Sequence, residues 1–147
     1  MSAQARAALV DSPKTLFQTD SQRADLLDEN ATQTTLIALL SELIGKGHII
    51  EFTAVKSDHD DDSNLGRHCH YYGFCADCWP LSSATPGAYL DATDSRFTQF
   101  VADAAASRYR WQIGLAGSAW TADAIAAGGA TVFQDAGADH VHLGANG

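Results

Sequence analysis

The chain has 147 residues, 46% of them hydrophobic, only three prolines and a formal net charge of -9. That length fits one domain with a sizeable buried core, and the composition excludes a disordered chain. The acidic balance, with no cluster of Lys or Arg, argues against nucleic acid or an anionic membrane surface as a partner.

Residues 1 to about 30 are polar, with Ser12-Pro13 among them, and read as a surface arm with short turns; the domain proper is expected over 31–147. The opening residues Met1 to Val10 lack a basic start and a long apolar core, so no secretory signal is expected. No stretch approaches the roughly 20 apolar residues of a membrane span. Synthesis as a soluble cytoplasmic protein is the expectation.

The first strong element is a helix from Thr32 to Lys46. Leu36, Leu39, Leu40, Leu43 and Ile44 recur at helical spacing, and Gly45 and Gly47 stop the run. His48 to Val55 follows as a strand, because Ile49, Ile50, Phe52 and Val55 combine β-branching with partial alternation. The polar stretch Lys56 to Asn64 offers oxygens at Asp58, Asp60, Asp62 and Asn64. A calcium loop of the EF-hand type also needs Gly sixth and Glu twelfth, where this chain has Ser63 and Cys69, so a solvated acidic loop is expected. After a cysteine-rich stretch, Pro80 to Gly87 reads as a turn-rich connection. Ser95 is expected to cap a helix reaching Arg108, with Phe97, Phe100, Val101, Ala104 and Ala105 on one face. Trp111–Leu115 reads as a strand, Ser118–Ala127 as a short helix stopped by Gly128-Gly129, and Thr131–Phe133 and His140–Leu143 as the last strands. The class is α+β, in one domain.

The chemistry concentrates in two places. Between Leu65 and Trp79 lie His68, Cys69, His70, Cys75, Asp77 and Cys78; near the C-terminus lies Asp139-His140-Val141-His142. A catalytic zinc takes three protein ligands and keeps a fourth position for water. His70 and Asp77, seven apart with Gly73 between them to turn the chain back, supply two, and His142 in the final strand the third. Such a zinc gives water a pKa near 7 and polarises a carbonyl, and a neighbouring carboxylate acts as base. Asp139 is the nearest one. In a straight strand Asp139 and His142 face opposite sides, whereas His140 and His142 share one. Asp139 must therefore sit at a bent strand entrance, which Gly137 makes possible. Otherwise His140 lines the site and Asp135 is the outside candidate for base.

His70-x-x-Gly73-x-Cys75-x-Asp77 resembles the His-x-x-Gly-x-Ala-x-Asp signature of the zinc D-alanyl-D-alanine carboxypeptidases and L-alanyl-D-glutamate endopeptidases, which share their fold with the Hedgehog signalling domain. Asp139-x-x-His142 is similar to the downstream acid-x-x-His motif of that family. The resemblance covers roughly residues 35 to 144. It implies a small antiparallel sheet with flanking helices, a zinc cofactor on His70, Asp77 and His142, Asp139 as base, and cleavage of peptidoglycan stem peptides. It also suggests a bacteriophage-type lytic or virion-associated enzyme that acts on the cell wall after release. The sequence departs from the family at His68, where Ser is common, and at Cys75. An arginine that grips the substrate carboxylate is replaced by Lys56, a point charge instead of a bidentate fork; Arg67 is the alternative grip.

Rival readings weigh against this. Cys75-x-x-Cys78 with His68 or His70 fits a closed structural zinc site, and the pair alone a redox dithiol. A nucleobase deaminase is excluded because its His-x-Glu and Pro-Cys are both missing. Cys75 and Cys78 are read mainly as small buried residues, with a bridge from Cys69 or Cys75 to Cys78 as the form expected under oxidation. His48 and His59 are read as surface or loop histidines, and Tyr71 and Tyr72, which flank His70, as packing residues. The alternative to a peptidase is a non-catalytic, zinc-stabilised binding module of the same fold.

Overall fold

Alternation along the last strand organises the sheet. Val141, Leu143 and Ala145 are fully buried against the helices, which turns His140, His142 and Gly144 to the opposite face. A computed structural model describes residues 3–59 and 69–147. The sequence readings at Asp60, Asp62, Asn64, Arg67 and His68 lie outside the described residues.

The elements in chain order are α1 (Ala3–Val10), β1 (Thr15–Phe17), α2 (Asp20–Leu27), α3 (Thr34–Gly45), β2 (Ile49–Ala54), β3 (Cys75–Leu81), α4 (Ser95–Ala106), β4 (Arg110–Ala116), α5 (Ala122–Gly128), β5 (Val132–Asp135) and β6 (His140–Ala145). The sheet order is β1-β2-β3-β6-β4-β5. The four inner strands are antiparallel, as expected for a small α+β domain. Both edges are parallel additions, β1 on β2 and β5 on β4, so the sheet is mixed and not purely antiparallel. Each parallel edge is reached through helices, α2 and α3 between β1 and β2, α5 between β4 and β5, because a parallel return needs a long crossover.

The apolar faces of α3 (Leu36, Leu39, Leu40, Leu43) and α4 (Phe97, Phe100, Val101) pack with Phe52, Ile113, Leu115, Val141 and Leu143 in one core. Residues 3–27, read from sequence as a polar arm, form α1, β1 and α2 and add Leu9, Val10 and Leu26 to that core. The link is Arg6, which is 3% exposed. Its guanidinium donates to Leu26 O (2.8 Å), Thr32 Oγ1 (2.7 Å) and Thr32 O (2.6 Å). It thereby ties α1 to the end of α2 and the entry to α3.

Three local expectations change. Asp94, not Ser95, caps α4, its carboxylate accepting from the Arg96 N–H at 2.8 Å. Residues 117–119 form a 3-10 turn, and α5 starts only after its own cap, Thr121. Pro80 belongs to β3, which tolerates the missing donor because β6 pairs with it only as far as Cys78. Among the described residues no helix is long and apolar enough to cross a membrane.

Candidate functional site

Asp77 on β3 and His142 on β6 are register partners across an antiparallel pair, so both side chains leave the same face of the sheet. His70 reaches them from the loop before β3. There Gly73, at φ +79°, turns the chain back where a Cβ would run into the backbone of Ala31. Asp77 Oδ1, His142 Nδ1 and His70 Nε2 then form a nearly equilateral triangle. The sides are 3.2 Å (His142 to Asp77), 3.2 Å (His70 to His142) and 3.4 Å (His70 to Asp77). All three residues are buried.

The outer partners orient these donors. His70 Nδ1 donates to Val55 O at 2.6 Å, which leaves the Nε2 lone pair pointing at the triangle. The Gln112 amide faces His142 Nε2 at 3.1 Å. The amide nitrogen donates to that ring nitrogen, so Nε2 accepts and Nδ1 carries the proton toward Asp77 Oδ1, a proton that a metal ion bound there would displace. Burial alone would raise the Asp77 carboxyl, but the imidazoles of His142, His59 and His70 around it outweigh burial and hold the group well below its ordinary 3.8. Gly114, beside His142 on β4, is required by space: an added Cβ would lie 2.9 Å from His142 Cβ, 2.8 Å from Phe133 Cζ and 3.1 Å from Asp135 Cβ.

His59, read from sequence as a loop histidine, belongs to this site. Its ring stacks on His70 with centroids 3.6 Å apart and planes 7° from parallel, and its Nε2 lies 3.2 Å from Asp77 Oδ2. His59, His70 and Asp77 form a group that could hold a metal ion, their ligand atoms all within 4.8 Å of one another. An imidazole binds a metal in its ring plane, and two stacked planes do not meet. An ion in the plane of His70 is therefore reached by His59 only if one ring tilts. His142, whose ring stands 65° to that of His70, converges with it directly.

Strand alternation sorts the remaining candidates. His140 shares the face of His142, and its Nε2 lies 3.9 Å from Asp77 Oδ1. Its nitrogens meet two acceptors, Asp135 Oδ2 and Ala138 O, each at 2.8 Å. Both contacts are satisfied only by the doubly protonated ring. Burial opposes that charge, but the bond to Asp135 and the charge of Asp77 prevail and raise the His140 pKa above 6.5. Asp135 is lowered in turn: burial opposes its charge, and the His140 hydrogen bond outweighs it.

Asp139 precedes β6, after a turn in which Gly137 has φ +98°. Its carboxylate is exposed and accepts from Ser118 Oγ (2.7 Å) and Ser118 N–H (2.8 Å), which together depress its pKa. It lines a cleft of about 430 Å³ with Thr53, Trp79, Tyr89, Asp91 and Ser118. The three triangle residues do not line this cleft. Thr53, whose Oγ1 lies 3.3 Å from Asp77 O, is the link between the two. Lys56 is not in the cleft lining either: its ammonium lies 5.7 Å from the centre of the Tyr71 ring. Arg67, the other candidate grip, lies outside the described residues.

Cys75 and Cys78, three apart on β3, point to opposite faces, so they form neither a dithiol pair nor a shared zinc site. Cys75 is bridged to Cys69 instead. Cys78 is a free thiol in the core, pushed up by burial and then by the charge of Asp77. Neither the place of His59 nor this pairing follows from spacing, since both depend on where His59, Cys69 and His70 come to lie against the sheet.

Compared with protein-family models, curated proteins and solved structures, the chain matches none.

Proposed function

We propose that this chain is a zinc-dependent peptidase that acts on the peptides of bacterial peptidoglycan. The observation that carries the reading is the triangle of His70 Nε2, Asp77 Oδ1 and His142 Nδ1, with sides of 3.2–3.4 Å. Tetrahedral zinc with N and O ligands at about 2.0–2.1 Å requires ligand atoms roughly 3.3–3.4 Å apart. Two imidazoles and one carboxylate, with His70 already held by a backbone carbonyl, are the donor chemistry of an open site. Zinc there supplies a lowered pKa for water and a Lewis acid for the scissile carbonyl.

The chain supplies the proton transfers. Asp139, the base that the resemblance implies, is proposed to take the proton of the attacking water and return it to the leaving amine, for which its carboxylate must turn from Ser118 and the cleft toward the triangle. His140, held cationic by Asp135 and Ala138, stabilises the oxyanion. The substrate class comes from the resemblance of His70-x-x-Gly73-x-Cys75-x-Asp77 and Asp139-x-x-His142 to the peptidoglycan peptidases, as does the proposal that the enzyme is of lytic or virion-associated type. Lys56 is proposed to hold a substrate carboxylate.

The test is zinc content and release of free amino groups from purified peptidoglycan, for wild type, Asp139→Ala and His142→Ala. His142→Ala should lose zinc and activity together; Asp139→Ala should keep zinc and lose turnover. Activity retained by both variants would sink the assignment. One observation favours a second reading, a zinc-stabilised binding module: His70 and His142 are each 1% exposed and Asp77 5%, a burial that suits a structural ion. Peptidoglycan binding without amine release by the zinc-loaded wild type would establish that alternative.

A further inference from the structure

The side of His142 turned away from Asp77 carries a second set of donors. Its Nε2 lies 3.5 Å from Cys69 Sγ. Cys69, Cys75 and His142, all buried, each place a ligand atom within 4.8 Å of the other two. The sulfurs are joined as a disulfide whose Cα atoms are 5.3 Å apart. One imidazole thus stands between two sets: Nδ1 faces Asp77 and His70, and Nε2 faces the sulfur pair. A neutral imidazole has one N–H and one in-plane lone pair, so His142 ligates on one side at a time.

We propose that reducing the Cys69–Cys75 bond opens a second metal site, in which both thiolates and His142 Nε2 take a thiophilic cation such as Zn2+ or Cd2+. Its competition with the His70–Asp77–His142 set rests on the zinc reading above; the thiol site itself rests only on the sulfur–imidazole geometry. Two equivalents of a small thiol supply the reduction. The Sγ–Sγ bond breaks, each sulfur gains an electron and a proton, and the reductant leaves as its own disulfide. The two cysteine protons pass to solvent when the thiolates bind the cation. Thiolates favour soft ions such as Cd2+ more strongly than the imidazole–carboxylate triangle does. Cys78 takes no part, since its Sγ lies on the helix-facing side, 3.6 Å from Val141 O.

The experiment titrates the full-length chain with Cd2+ and Co2+ before and after reduction. A phosphine is used because it does not compete for the metal as thiols do; it takes oxygen from water and leaves the two protons on sulfur. The oxidised chain should bind the ion without thiolate-to-metal charge-transfer absorption. The reduced chain should bind one ion per chain and show that absorption. Cys78→Ala should retain the band, and the double variant Cys69→Ser/Cys75→Ser should lack it under both conditions. A reduced wild type that binds Cd2+ without the band, or a band that disappears with Cys78→Ala, would overturn the site, and both readouts stand even where the double serine variant fails to fold. Two ions bound per reduced chain would overturn the sharing of His142. His70→Ala separates the readings: oxidised His70→Ala that still binds the ion refutes the triangle, while its band on reduction continues to report the thiol site.

Discussion

Gly114→Ala isolates the geometric claim on which the proposed metal site depends. The new methyl would lie 2.8 Å from Phe133 Cζ, 2.9 Å from His142 Cβ and 3.1 Å from Asp135 Cβ. The phenyl ring can swing, but His142 Cβ is fixed by the backbone of an inner strand that is paired on both sides. Relieving the contact moves His142 by about half an ångström, the tolerance within which a site must be held. Overpacking costs about 1–3 kcal/mol, offset by about 0.5–1 kcal/mol from removing a glycine from a strand. The net loss is about 0–2.5 kcal/mol, which lowers the melting temperature by at most roughly 10 °C for a chain of this size. Zinc affinity should fall about 10–100-fold, as when an oriented ligand loses its support. Gly45→Ala is the control, since nothing lies within 4 Å of its added Cβ and its φ is not positive. The assays are thermal unfolding and competitive zinc titration. Wild-type zinc affinity in folded Gly114→Ala would refute the argument that the missing Cβ positions His142.

Three other substitutions test separate parts of the structure. Arg6→Ala strands the carbonyls of Leu26 and Thr32 and should cost about 3 kcal/mol, read as a lower denaturant midpoint; a change under about 0.5 kcal/mol would show that the first helix is not docked as described. Asp103 is held below its ordinary 3.8: burial opposes its charge, and hydrogen bonds from His48 and Gln99 outweigh it. A lowered carboxyl contributes stability that is complete above the unfolded-state value and is lost as pH falls through the folded one. Asp103→Asn should therefore cost about 1 kcal/mol at neutral pH, and the gap from wild type should close in acid; a gap independent of pH would contradict this. Ser118→Ala removes one of the two donors that depress Asp139, so the acid limb of the kcat/KM profile should move to higher pH. An unmoved limb would assign the base elsewhere, with Asp135 the next carboxylate.

What could be read from the sequence was what periodicity and spacing encode. The stripe from Leu36 to Ile44 and the Phe97–Phe100–Val101 face located α3 and α4 to within about two residues. The β-branched, partly alternating run located β2, and the strand expected at His140–Leu143 is β6, which extends to Ala145. His70 and His142 were legible as candidate ligands because the chain has only six histidines, and Asp77 because it lies seven residues after His70 with Gly73 between them. The strand at Cys75–Leu81 was not legible, because it is buried along its whole length and carries no alternation. With it went the consequence that Cys75 and Cys78 face apart. The first thirty residues misled through composition: α1 and α2 place only a few apolar residues inward and are fixed by Arg6, whose charge reads as surface. His59 is recognisable as part of the site only when its ring is seen on His70.

The same alternation bears on the acid–base roles proposed for Asp139 and His140. Because β6 is a regular strand, His140 must share the face of His142, beside the negative charge of Asp77, and is kept cationic there. Asp139 lies just outside the strand and escapes that constraint. Its carboxylate turns to Ser118, where Gly117, at φ +59°, has no Cβ to block it. Two adjacent residues are thus driven apart in charge, an anion at the cleft and a cation beside the His70–Asp77–His142 triangle. Groups whose environments push their pKa values in opposite directions are the ones suited to divide acid and base work. Exchanging the two residues would put a carboxylate against Asp77 on the buried face and an imidazole against the Ser118 donors, and neither position could hold the charge it was given.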